Sequence, residues 1–334
     1  MTATLLDASA HAERPAFEYR HLNALLNEAR GRSPLPVAVV HPVDLVSLQG
    51  ALEAAKEGLI DPWLVGPQAR MAQAAAEAGL DLSSYRVIDT EHSHASAARA
   101  VQLVQEGKVR GLMKGSLATA ELLAAVMNKE AGLRTERRLS HVFVMEMPNY
   151  HKLLLITDAA INIQPDLNQK RDIVQNAIDC ARALGIRMPK VAILAAVEKV
   201  NPQMPATLDA AALCKMAERG QITGGILDGP LAFDNAISLQ AAVTKHIDSP
   251  VAGDVDILVA PNLEAGNLLA KQLQYLAGAR AGGVVMGARV PIILTSRADG
   301  LLERLAATAI AVRLARYQAQ QALMPEPGAT GPGD

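Results

Sequence analysis

The sequence predicts an α/β fold built on a largely parallel sheet covered on both faces. Two observations carry this: short apolar runs alternate along the chain with Ala-rich stretches, and those stretches repeat apolar residues at i, i+3 and i+4. In order, the runs predict strands at Pro36–Val40, Trp63–Val65, Arg86–Ile88, Gly111–Met113, His141–Met145 and Leu153–Ile156. They continue at Val191–Ala195, Thr223–Leu227, Ile257–Val259, Gly283–Met286 and Pro291–Leu294. The periodic stretches predict helices at Ser47–Ala55, Ala95–Gln105, Leu117–Val126 and Gln169–Leu184. Further helices are expected at Leu208–Glu218, Asn235–His246, Leu263–Leu276 and Leu301–Tyr317.

At 334 residues the chain has room for about two domains. No fixed-period repeat or long linker separates them, so a tight join is expected near Pro148–Lys152. The strand Pro291–Leu294 and the helix after it either stay with the second half or return to the first. Residues 324–334, six of them Pro or Gly, read as a frayed tail.

Charge nearly cancels, 32 Lys plus Arg against 34 Asp plus Glu, which argues against broad phosphate neutralisation on nucleic acid. Half the residues are hydrophobic but only 3% are aromatic, so few rings are left to stack single-stranded bases. Two cysteines, Cys180 and Cys214, exclude a multi-bridge disulfide framework and a four-cysteine zinc site, and suit a reducing compartment. No apolar run reaches about 18 residues, and Met1–Arg20 has no long apolar block, so neither a membrane span nor a signal peptide is expected. The expectation is a soluble, cytoplasmic protein with neither nucleic-acid nor membrane partners.

In open α/β sheets the chemistry gathers where strands end and face a crevice. The residues following the apolar runs are Lys114-Gly115-Ser116, Thr157-Asp158-Ala159-Ala160 with Asn162, Asp228-Gly229-Pro230 with Asp234, Pro261–Asn267, and Thr295-Ser296-Arg297-Ala298-Asp299. Ser296, with Asp299 three residues on, reads as a helix N-cap box. Arg297 fits that reading poorly, because a cation in a first helical turn opposes the dipole unless an anion such as phosphate sits there. Lys114-Gly115-Ser116 lacks the earlier glycine of a nucleoside-triphosphate loop, and Gly225, Gly229 and Gly282–Gly287 miss the dinucleotide spacing. Arg134, Arg137 and Arg138, followed by Ser140 and His141, read either as a solvated face or as a landing site for a polyanion such as coenzyme A. His92 and His94 read as a surface loop, Asp254 and Asp256 as turn formers rather than Mg2+ ligands, and both cysteines as buried and inert.

Seven of these segments resemble, in register, the phosphate acetyltransferase/phosphate butyryltransferase family. They are Gly111-Leu-Met-Lys-Gly115, Arg138-Leu-Ser-His-Val-Phe143, Thr157-Asp-Ala-Ala-Ile-Asn162, Glu198-Lys-Val-Asn-Pro202, Asp228–Asp234, Asp254–Pro261 and Ser296-Arg297. The similarity runs from about Val37 to Leu314. It implies two α/β/α domains around an interdomain cleft, isocitrate/isopropylmalate dehydrogenase-like, usually as a homodimer. The C-terminal segment then returns to the first domain, giving 1–150 plus 295–323 and 151–294, with 324–334 as a flexible tail.

The resemblance also implies reversible transfer of a short acyl group, acetyl or butyryl, between CoA and inorganic phosphate. CoA or acyl-CoA is then a substrate, and no tightly bound cofactor or metal is called for. By the same resemblance Arg297 holds the phosphate, Ser296 assists the tetrahedral centre, and the base is an acidic residue seven positions after that serine, Glu303, with Asp299 as its competitor. Lys114, Ser116, Arg138, Ser140, Thr157, Asp158, Asn162, Asp228 and Pro230 are the expected substrate and CoA contacts. A thiol near 8.5 against a carboxylate near 4.3 leaves a gap of about 4 units, so either burial raises the carboxyl or cations lower the thiol. Direct thiolate attack in a ternary complex is favoured over a route through Cys180 or Cys214. The competing readings are a metal- and NAD(P)-dependent decarboxylating dehydrogenase of the same fold and a non-catalytic acyl-CoA-binding regulatory protein.

Overall fold

A computed structural model describes residues 17–31, 33–296 and 299–323. Arg297 and the tail 324–334 therefore lie outside the described residues. The described residues open with α1 (Arg20–Ala29), β1 (Leu35–Val40), α2 (Leu45–Lys56), β2 (Ile60–Gly66), α3 (Gln68–Glu77) and β3 (Arg86–Asp89). It continues through α4 (Ser93–Gln105), β4 (Leu112–Lys114), α5 (Thr119–Val126), β5 (Ser140–Glu146) and β6 (Leu154–Thr157). Next come α6 (Leu167–Ala183), β7 (Lys190–Leu194), α7 (Pro205–Glu218), β8 (Ile226–Leu231), α8 (Phe233–Ile237) and α9 (Leu239–Thr244). The last elements are β9 (Ile257–Val259), α10 (Leu263–Leu276), β10 (Arg280–Met286), β11 (Ile292–Ile293) and α11 (Leu301–Ala322). Asp44, His92, Asp166 and Asn262 start α2, α4, α6 and α10 by accepting the backbone N–H three residues on.

All the strands form one sheet in the order β3-β2-β1-β4-β11-β10-β5-β6-β9-β7-β8. Pairing is parallel in both wings, as the apolar runs predict. The centre differs: β10 is antiparallel to both β11 and β5, and β5 is antiparallel to β6. Consequently the carboxyl ends of β1, β4 and β11 lie at one end of the sheet, and those of β6, β9, β7 and β8 at the other.

One face carries a continuous apolar core under α1, α2, α3, α6, α7 and α11. On the opposite face the core is divided, with one part under α4 and α5 and the other under α8, α9 and α10. The break falls over the central strands, between Leu294, which packs with the first part, and Phe143, which packs with the second. Among the described residues no helix is long and apolar enough to cross a membrane.

Several sequence readings need correction. Asp228 and Pro230 lie within β8, not after it: Ala192 pairs with Asp228 and, past a bulge, Leu194 with Leu231. An edge strand tolerates this proline because its missing N–H costs no ladder bond on the outer side. The helix expected over Asn235–His246 breaks at Ser238, whose hydroxyl caps α9 by accepting the Ala241 N–H. Helices α1 and α3 went unread. In α1 the i, i+3, i+4, i+7 set Leu22, Leu25, Leu26 and Ala29 is buried, whereas α3 buries only Met71 and Ala75 and carries a weak pattern. The N-cap of α1 has no side-chain hydrogen bond of its own; buried Glu146 supplies two from the end of β5, accepting the N–H groups of His21 (3.1 Å) and Leu22 (2.8 Å).

Asp254 and Asp256 clasp the amino ends of neighbouring strands rather than simply forming a turn. Lys152 reaches both carboxylates at 2.8 Å, and Lys190 reaches Asp254 at 2.8 Å. Burial works to raise the Asp254 carboxyl, but the two ammonium groups outweigh it and hold the group well below the usual range.

Candidate active site

Two polar clusters flank the central strands. The first gathers where β4 and β11 end. Lys114, Gly115, Thr295 and Ser296 line one small pocket together with Arg304 and Thr308 of α11. The Lys114 ammonium donates to the carbonyls of Gly115 (3.1 Å) and Leu117 (3.2 Å). Gly115 is required here by space: a Cβ would lie 2.4 Å from the Val40 carbonyl oxygen.

The loop after β11 is closed by a turn in which the Asp299 N–H donates to the Ser296 carbonyl (3.1 Å) and the Ser296 N–H to the Asp299 carboxylate (2.7 Å). Half of the expected box is therefore present, but Ser296 is not the cap: α11 begins at Leu301, after Gly300. The dipole argument for Arg297 falls with it, since that field fades within the first turn. Asp299 and Glu303 face a second pocket, shared with Tyr19, Lys271 and Arg280. Buried Glu303 is paired to Arg280 at 2.6 Å. Burial pushes the Asp299 carboxyl up, and the neighbouring Glu303 charge adds to it, against the Ser296 N–H.

The second cluster lies at the opposite end of the central strands. Asp158 is buried and accepts from the N–H groups of Ala160 (2.9 Å), Ile161 (3.0 Å) and Asn162 (3.2 Å), and from the Asn162 amide (2.5 Å). The Asn162 carbonyl oxygen accepts from Arg138 Nε. Ser140 is buried and its hydroxyl accepts from Asn176 Nδ2 (2.9 Å); the Thr157 hydroxyl donates to the His141 carbonyl (2.8 Å). His141 lies 1% exposed beneath this loop with Nδ1 unpartnered. Burial pushes its imidazole down to about 4, against the charge of Asp158.

Lys114 and Ser296 are thus brought together, as are Asp299 with Glu303, and Arg138 with Asp158 and Asn162. The Leu294 N–H bonds the Gly283 carbonyl, and Gly283 stands opposite Phe143, three residues along β5 from Ser140, or about 10 Å. The two clusters therefore sit at opposite ends of the central strands. Ser116 is half-buried and held by its N–H to the His41 carbonyl (2.9 Å), outside the Lys114 pocket. Asp228 and Pro230 are not brought into the Lys114 pocket: six strands separate β8 from β4.

Sequence reading named His141 beside Arg138 but not its burial next to Asp158, and it missed Asn176, Arg280 and Arg304 as neighbours of these groups. A histidine inside an apolar strand was the available signal for that burial; mid-helix Asn176 offered none. His92 caps α4, and His94 pairs with Glu121 at 3.3 Å. Burial pushes the thiols of both Cys180 and Cys214 up to about 12.

The structure shares its architecture with the solved branched-chain phosphotransacylase from Enterococcus faecalis V583, at a TM-score of 0.74 and 32% identity, covering 84% of this chain and 99% of that one. The class is therefore an α/β acyltransferase of dehydrogenase-like fold. Residues 93–312 match the model of the phosphate acetyl/butaryl transferase family, and the chain belongs to that family. It is 58% identical over 298 residues to a phosphate acetyltransferase from Rhizobium meliloti, covering 89% of this chain and 94% of the relative. A phosphate butyryltransferase from Clostridium acetobutylicum is 40% identical over 296 residues, 89% of this chain and 98% of the relative.

Proposed function

We propose that the protein catalyses acyl-CoA + phosphate ⇌ acyl phosphate + CoA, with acetyl as the preferred acyl group. The observation that carries this is the family match, because residues 93–312 include both polar clusters. The higher identity to a phosphate acetyltransferase, 58% against 40% to a butyryltransferase, supports acetyl.

CoA lies along the cleft, its phosphates at Arg138 and its sulfur toward Ser296. The thiolate attacks the carbonyl carbon of acyl phosphate; the C–S bond forms, the C–O bond to phosphorus breaks, and phosphate leaves with the electron pair. Arg297 and Lys114 hold the phosphate, and the Ser296 hydroxyl meets the tetrahedral oxygen. Asp299 accepts the thiol proton. Its raised carboxyl narrows the gap to the thiol, whereas Glu303 is committed to Arg280. Thiols held at about 12 are protonated at neutral pH, which favours direct transfer over a cysteine relay.

The packing of α11 on α1 and α2 supports the return of the C-terminal segment 295–323 to a first domain of 1–150 beside a second of 151–294, and the pairing of β11 with β4 moves the start of that returning segment back to Ile292. Exposed Leu239, Val243, Leu268, Tyr275 and Leu276 on α9 and α10 support a homodimer.

The test follows free thiol from acetyl-, propionyl- and butyryl-CoA with phosphate. Release is expected fastest with acetyl; no release from any of them rejects the activity, and a faster butyryl reaction rejects the preference.

The base has its own signature. In the direction that consumes CoA, Asp299 must be ionised, so the rate should fall as pH drops through a value above the usual carboxylate range. Asp299→Asn should remove that acid limb along with most of the rate, while Glu303→Gln keeps the limb. The reverse pattern would move the base to Glu303.

A further inference from the structure

We propose that Asn162 is a positioning residue that aims Arg138 at the phosphates of CoA, with Asp158 fixing the orientation of the Asn162 amide. The inference rests on the reading of Arg138 as a CoA contact and assigns Asp158 and Asn162 a different task from touching substrate.

Asp158 is saturated: its two carboxylate oxygens take four donors, all from residues 160–162. A buried carboxylate so occupied has little capacity left for a ligand. What it does is orient the Asn162 amide. The Asn162 Nδ2 donates to Asp158 and to the Leu139 carbonyl (2.8 Å), which uses both of its hydrogens. The amide cannot flip without setting its oxygen against two acceptors. Its Oδ1 is therefore presented to Arg138, and accepts Nε.

Arg138 is held at its backbone as well: its N–H donates to Asp172 (3.1 Å) and its carbonyl accepts from Asn176 (2.9 Å). Yet the residue is exposed, whereas Asn162 is only 3% exposed. A guanidinium anchored through Nε presents its two terminal nitrogens outward as a fork, the geometry that matches a phosphate. Anchoring also removes rotamer freedom before the ligand arrives, which is where preorganisation gains affinity.

The test is a double-mutant cycle in the intact protein, read as KM for CoA, KM for acetyl phosphate, and kcat. Arg138→Ala should raise KM for CoA by about tenfold to a hundredfold, the range for a lost charged hydrogen bond. Asn162→Ala should raise it by about tenfold, with KM for acetyl phosphate and kcat nearly unchanged. The double variant should be no worse than Arg138→Ala alone.

Effects that multiply in the double variant, or a wild-type KM for CoA in Asn162→Ala, overturn the relay. An Arg138→Ala protein with unchanged KM for CoA instead removes the underlying reading of Arg138, and the relay with it. Should Asn162→Ala fail to fold, Asn162→Ser serves, since a hydroxyl can still bond Asp158 but is too short to reach Arg138. In an Arg138→Lys background, where Nε is gone, Asn162→Ser should leave KM for CoA unmoved; a further rise there also overturns the relay.

Discussion

Arg297→Ala should lower turnover of acetyl-CoA with phosphate by on the order of 10²–10³, about 3–4 kcal/mol in the barrier, with thermal stability unchanged. Acyl phosphate and thiolate repel each other, and charge builds on the carbonyl oxygen and the departing phosphate as they react. A cation fixed at that point stabilises the transition state more than the separated reactants. Because α11 starts only at Leu301, its dipole is too far along the chain to replace the guanidinium. Arg297→Lys keeps the charge but loses the bidentate fork, so it should recover only part of the rate. Free-thiol release at saturating and limiting substrate decides the matter: an Arg297→Ala enzyme within twofold of the parent would remove this residue from the chemistry.

Gly115→Ala should damage both stability and rate, for a reason confined to backbone geometry. The added Cβ would lie 2.4 Å from the Val40 carbonyl oxygen and 2.8 Å from the carbonyl carbon and oxygen of His41. These are main-chain atoms and cannot rotate aside. The same backbone is tied to β1 by the Gly115 N–H to Val40 (2.9 Å) and the Ser116 N–H to His41 (2.9 Å), so the methyl must force the end of β4 outward. Overpacking of this kind costs about 1–3 kcal/mol. Lys114 moves with it, away from the pocket it shares with Ser296, and misplacement by about 1 Å can cost on the order of 10²-fold. Thermal melts and kcat/KM together test this. Gly107→Ala is the control: its φ of +70° strains any side chain, but no atom lies within 4 Å, so kcat/KM should be preserved. Parent-like activity in Gly115→Ala would show that the end of β4 does not position Lys114.

The candidate site was partly legible in the chain. Lys114 and Ser296 both follow apolar runs, and strands of like direction bring their ends together, so reading the residues after strands found this pocket. The same rule failed at Asp228, because a bulge and an edge position let β8 run on through Gly229-Pro230. It placed Asp158 after β6 but not its hydrogen bonds, all four of which come from its own loop. His141 stood beside the quoted arginines, but its burial next to Asp158 depends on neighbours that no local pattern names.

By itself the sequence determined the alternation of helices and strands, the parallel wings and the order of the polar segments. Burial on both faces imposes an apolar run locally, and a helix seated on the sheet imposes its 3.6-residue period. Only the tertiary structure decided the antiparallel centre, the divided core on one face, the carboxylate of Glu146 at the start of α1, and the link from Asp158 through Asn162 to Arg138. Pairing direction and side-chain contact join segments far apart in the chain, and hydrophobic periodicity carries no information about which distant partner a polar group will meet.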